Sequence, residues 1–158
     1  MAPSCFSGEH AAAVSAERLW KVILDVPAMA KVCAGFVDAV EVEGDGGPGT
    51  VHTLKLNPAA DVGSVYKTRL VARDDASRVL KSEVLEVQSK VGKIKSQVLE
   101  SKLEAAGDGS CVAKLAVECE LEGGAPLSPE QEKTIVDGYF GMLKMIEAYL
   151  VAHPAEYA

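Results

Sequence analysis

Residues 111–121, CVAKLAVECEL, and residues 128–152, SPEQEKTIVDGYFGMLKMIEAYLVA, decide how this chain folds. In the first, Cys111, Ala113, Leu115, Val117, Cys119 and Leu121 fall on one side, and Lys114, Glu118 and Glu120 on the other. A period of two marks a strand in a sheet with one wet face. In the second, the period changes. Ser128 at the N-cap, Pro129 at the first helical position and Gln131 two further on form a capping box. Behind it Ile135, Tyr139, Met142, Leu143, Ile146 and Leu150 recur at helical spacing, with Lys133, Asp137, Lys144 and Glu147 largely between them. This predicts an amphipathic helix from Pro129 to about Ala152, roughly 35 Å long. Such a stripe is buried only against the concave face of a curved sheet. Aromatics make up 5% of the chain, so aliphatic side chains must fill that concavity, and an internal cavity is expected.

Upstream, from Val37 to Leu121, short Val- and Leu-bearing runs are cut by Gly44–Gly49, Asn57-Pro58, Asp74-Asp75, Val91-Gly92 and Gly107-Asp108-Gly109. Breakers at such intervals indicate an antiparallel meander. Before it, Ser15 reads as the N-cap of a short helix from Ala16 to about Leu24, with Glu17 in its first turn. Pro27 then restarts the chain into a second short helix, Ala28 to Ala34, which Gly35 ends.

The chain has 158 residues, with no repeat and no Pro/Gly/Ser-rich linker, and is expected to form a single domain over 1–158. Sixteen Lys and Arg against 23 Asp and Glu give a net charge of −7, which disfavours a dedicated nucleic-acid binder. Cys5, Cys33, Cys111 and Cys119 show no CxxC spacing, so zinc and thioredoxin-type chemistry lack support and no metal or cofactor is expected. Cys111 and Cys119 on one strand stand roughly 26 Å apart and cannot bridge each other. Free buried thiols in a reducing compartment are the simplest account. Met1–His10 has neither a basic region nor an apolar one behind it, and no run is long enough to span a membrane, so a cytoplasmic location is expected.

Three stretches, Glu43–Thr50 (EGDGGPGT), Ser15–Lys21 (SAERLWK) and Ile146–Pro154 (IEAYLVAHP) followed by Tyr157, together resemble the class ten plant pathogenesis-related proteins, the birch-pollen-allergen family. Their spacing matches as well, and the resemblance covers essentially the whole chain. Asn57–Ala60 and the ending His153–Ala158 look most like the cereal-grass branch. The resemblance implies an α+β helix-grip fold: a seven-stranded antiparallel curved sheet wrapped around the long C-terminal helix, with two short helices supporting its far end. It implies a large apolar cavity between sheet and helix. It also implies a monomeric cytosolic stress protein that binds cytokinins, flavonoids, fatty acids or similar amphipathic molecules, with weak ribonuclease activity as the alternative.

By position in the family pattern, the cavity residues are Met29, Phe36, Leu54, Leu56, Leu80, Val84, Ile135, Tyr139 and Met142. Ser82, Arg69 and the Tyr139 hydroxyl would orient a guest. Leu56, Leu80 and Ser82 stand where pollen relatives carry aromatics, which implies a wider cavity with fewer stacking platforms. Any one of the nine apolar positions, taken alone, reads more readily as plain core. The glycine loop, with Gly44, Gly46, Gly47 and Gly49, leads into Thr50–Leu54, a strand, and no Lys follows its last glycine. A phosphate loop needs a following helix and that Lys, so a Gly-permitted hairpin turn is the better account. The family's ribonuclease constellation carries over to Glu147 and Tyr149. His52 takes the place of its lysine and Lys95 or Ser96 that of its strand carboxylate. His52 could act as base or acid, since its unperturbed pKa is near 6.5. Otherwise it is an ordinary strand residue, and Glu147 satisfies N–H groups of the glycine loop. A phosphatase-partner role has little support, because the 57–64 stretch lacks the expected gate-loop pattern.

Overall fold

The period-two and period-3.6 stretches meet as expected in a computed structural model, which describes residues 3–58, 65–87 and 93–158. Seven strands form one antiparallel sheet: β1 (Ser4–Ala12), β2 (Val37–Glu43), β3 (Val51–Leu56), β4 (Val65–Asp74), β5 (Val79–Val87), β6 (Ile94–Ala105) and β7 (Cys111–Leu121). Their spatial order is β1-β7-β6-β5-β4-β3-β2. Register shifts in the β2–β3, β4–β5 and β6–β7 ladders add local bend and twist. The turn expected at Val91-Gly92, and residues 59–64, lie outside the described residues.

β7 keeps the alternation read from its sequence, with Cys111, Ala113, Leu115, Val117, Cys119 and Leu121 all buried. The long helix, α3, spans Pro129–Ala152. Its capping box is complete: Ser128 Oγ accepts from Gln131 N–H, and the Gln131 carboxamide oxygen accepts from Ser128 N–H at 2.8 Å. α1 spans Ala16–Leu24 behind Ser15, whose hydroxyl accepts from Arg18 N–H.

Two local readings change. β1 was not legible from its residues, because its inward positions are Ser4, Phe6, Gly8, His10 and Ala12, and only one of these is a large apolar side chain. The second short helix is shorter than Ala28–Ala34. A 3-10 turn, Val26–Ala28, precedes a single turn of helix, α2 (Met29–Val32). Gly35 sits at φ +87°, and Phe36 and Val37 N–H both return to Cys33 C=O, so reversal into β2 takes up the residues expected to finish the helix.

α3 lies across the concave face, and its two halves meet different surroundings. Its C-terminal half packs densely: Ile146 and Leu150 are buried in one cluster with Leu19, Val22, Val37 and Leu115. There Arg18 reaches the helix end, with Nη2 donating to Leu150, His153 and Glu156 carbonyls at 3.1, 3.0 and 2.9 Å. These contacts satisfy carbonyls that a helix C-terminus leaves open. At β1, an added Cβ on Gly8 would stand 2.6 Å from Val136 Cγ1, so glycine permits the close approach of helix and strand. Ile135, Tyr139 and Met142, nearer the start and middle of the helix, face a hollow, which Leu143 and Ile146 also border. Cys33, Cys111 and Cys119 are buried free thiols; Cys5, on the outward side of β1, is exposed, contrary to the expectation that all four are buried.

Candidate functional site

The hollow between the sheet and the stretch of α3 from Thr134 to Ile146 has a volume of about 450 Å³. Its shape follows from packing already described: the dry contacts at one end of α3 fix the helix, and short aliphatic side chains on the sheet stop short of the other end. Of the expected wall residues, Met29, Phe36, Leu54, Leu56, Leu80, Ser82, Ile135, Tyr139 and Met142 line it. Two do not. Val84 packs against the core without forming wall. Arg69 points outward, and its Nη2 donates to Glu83 Oε2 at 2.9 Å. The period of two requires this, since Thr68 and Leu70 on either side of Arg69 face the hollow.

The walls also include side chains that the family pattern did not single out: Tyr66, Thr68, Leu70, Gln97, Leu99 and Ser101 from the sheet, Ile23, Leu24 and Val26 from the short-helix region, and Gly138 from α3. Alternation in β6 was the signal that would have found Gln97, Leu99 and Ser101 together. The polar members cross the sheet in register. His52 pairs with Thr68, and Thr68 with Val84. The β5–β6 pair Glu83/Val98 sets Gln97 next in that row, beside Val84. Tyr139 from α3 and Ser101 from β6 both line the hollow. Burial raises the Tyr139 and Tyr66 hydroxyl pKa values, so both are neutral hydrogen-bonding groups. Burial lowers the His52 pKa, which favours the neutral imidazole near pH 7.

Arg73 is the one charged wall residue among the described residues. Its guanidinium is already engaged: Nε and Nη2 donate to the Asp75 carboxylate at 2.7 and 3.1 Å, and Nη1 to Gly46 C=O at 3.4 Å. The glycine loop joins β2 to β3 as a hairpin connection, with Gly46 at φ +93° and Gly49 at φ +94°. Its N–H groups are consumed internally: Gly46 N–H donates to Thr50 Oγ1, Gly47 N–H to Asp45 Oδ1, and Gly49 N–H to Leu70 C=O. A phosphate would find no converging donors there.

The three candidate catalytic residues are not brought together. His52 faces the hollow, whereas Glu147 and Tyr149 are not part of its wall among the described residues. Glu147 accepts from His10 Nε2 at 2.7 Å and from Ala13 N–H at 3.0 Å, not from the glycine loop. Tyr149 donates to the Glu156 carboxylate at 2.8 Å. Lys95, at the strand-carboxylate position, lies 3.7 Å from Glu120 on the outer face. Among the described residues no three His, Cys, Asp or Glu side chains converge as metal ligands, and no helix is long and apolar enough to cross a membrane.

Comparison with known proteins agrees with this architecture. The family model described as polyketide cyclase / dehydrase and lipid transport matches residues 5–144. The major pollen allergen Aln g 1 of Alnus glutinosa is 30% identical over 155 residues, covering 96% of each chain. The crystal structure of Ara h 8.0201 superposes with a TM-score of 0.77 at 25% identity, over 95% of this chain and 99% of that one. Norcoclaurine synthase from Thalictrum flavum, solved with dopamine and hydroxybenzaldehyde, shares the fold at 21% identity, with a TM-score of 0.69 over 95% of this chain and 87% of that one.

Proposed function

Because this chain belongs to the polyketide cyclase / dehydrase and lipid transport family, and within it to the class ten pathogenesis-related proteins of the birch-pollen-allergen type, we propose that it is a carrier. It holds one amphipathic small molecule, such as a cytokinin, flavonoid or fatty acid, between its sheet and its long helix. One observation carries this reading: a hollow of about 450 Å³ walled mainly by Leu, Ile, Val and Met, with a few convergent polar groups. That size falls within the range of small-molecule sites. The same reading makes the protein a monomeric cytoplasmic component of the plant stress and defence response. Titration with prodan, a neutral polarity-sensitive naphthalene dye, and competition by cytokinins and flavonoids tests the carrier role. Saturable binding at micromolar dye is expected, and its absence ends the proposal.

No observation favours the ribonuclease alternative. RNA cleavage needs a base, an acid and phosphate-binding cations near one point. Here Glu147 is held by β1 and by the segment after it, away from the hollow that His52 faces. RNA degradation by a preparation of the protein should therefore be unchanged by Glu147→Ala.

A further inference from the structure

Taking the carrier reading as its basis, we infer that the cavity selects neutral guests carrying a paired hydrogen-bond donor and acceptor, such as a lactam or amide edge, and discriminates against carboxylates. The recognising group is the Gln97 carboxamide. Gln97 lines the hollow and is only 6% exposed. Among the described residues, no protein group hydrogen-bonds its side chain. Buried polar groups ordinarily have partners, and an unpartnered one is costly unless something enters to meet it. A carboxamide offers one acceptor oxygen and a two-proton donor nitrogen on one planar edge. The guest that satisfies both presents a donor and an acceptor side by side.

The surroundings exclude the charged alternative. A carboxylate taken from water into this hollow needs a free cation. Arg73 is the charged wall residue among those described, and Asp75 holds it through two hydrogen bonds. His52 is kept neutral by burial. Of the polar side chains described on the wall, Gln97 is the most deeply buried. Fatty-acid anions therefore fit the walls but find no charge partner, and the class narrows to neutral heterocycles, amides and lactams with an apolar body.

Displacement of bound prodan by three bicyclic molecules of matched size tests this: carbostyril, a neutral lactam; naphthalene, which has no polar edge; and naphthoate, an anion. The wild-type protein should bind carbostyril about tenfold more tightly than naphthoate, since each satisfied hydrogen bond is worth roughly that factor. Gln97→Leu, of similar volume, should weaken carbostyril about tenfold relative to naphthalene, which has no polar edge to lose, and keep or raise the thermal midpoint. Gln97→Met is a second variant of the same design, and should behave alike. Equal carbostyril affinity in wild type and both variants overturns the inference, as does naphthoate binding as tightly as carbostyril. Failure of prodan itself to bind overturns the carrier reading and the inference with it. Saturable prodan binding with indifferent carbostyril overturns the inference alone.

Discussion

Glu147 is the residue whose role changes most once its neighbours are seen. Its carboxylate, 19% exposed, pins β1 and the chain just after it to α3 by accepting from His10 Nε2 and Ala13 N–H. Burial raises its pKa, but the Ala13 N–H and the His10 contact outweigh burial, and the net value lies below the ordinary 4.5. A carboxylate depressed in the folded state adds stability that is complete above its unfolded pKa and is lost as pH falls through the folded value. Glu147→Gln should therefore cost about 1–2 kcal/mol at pH 7, with a smaller difference from wild type at pH 3. Urea midpoints at the two pH values measure this, and an equal gap at both would show that Glu147 stabilises through packing alone. Family pattern alone could not have revealed this pairing. His10 lies in a segment whose sequence does not announce a strand, so its partner across 137 positions was invisible.

At the level of elements, the tight contact between β1 and α3 rests on the missing side chain of Gly8. Alanine there would place its Cβ 2.6 Å from Val136 Cγ1 and 3.3 Å from Phe140 Cε2. Gly8→Ala should lower stability by about 1–3 kcal/mol, the usual cost of overpacking. Adding Val136→Ala to the same chain should recover part of that loss, since it removes the clashing methyl; thermal midpoints of the single and double variants decide it. The strongest periodic signals, β7 and α3, were read to within a residue or so of their observed bounds because packing and local propensity agree there. Elements defined by a tight approach or by a turn were not. β1 is chosen by what fits beneath a helix, and α2 is cut short by the reversal at Gly35. Nine of the eleven expected cavity positions fall on the wall, and the two that miss, Arg69 and Val84, lie beside the β4–β5 register shifts.

For the whole molecule, the central feature is a helix that is packed at one end and spans a void at the other. Filling the void should decouple folding from binding. Leu54 is buried and lines the hollow from β3. Leu54→Trp should hold or raise the urea midpoint, as cavity-filling changes commonly add about 0.5–2 kcal/mol. Prodan affinity should fall about tenfold or more in the same protein. Unchanged dye binding in a stably folded variant would place the guest outside the hollow. Sequence composition foresaw the void through the scarcity of aromatics. Ser82 and the Tyr139 hydroxyl were foreseen on its wall, but the state of Gln97 was not, because whether it meets a protein partner or open space depends on strands that are brought together only by the fold.

Gly138 sets one wall of that void from within α3, and a Cβ built on it meets nothing within 4 Å. Glycine in a helix interior is about 0.5–1 kcal/mol less favourable than alanine. Gly138→Ala should thus raise the thermal midpoint while trimming the chamber by a methyl group, and the largest guests should be the first to lose affinity. One backbone position therefore works as a gauge: successively bulkier residues at 138 should narrow the calibre of this chamber step by step.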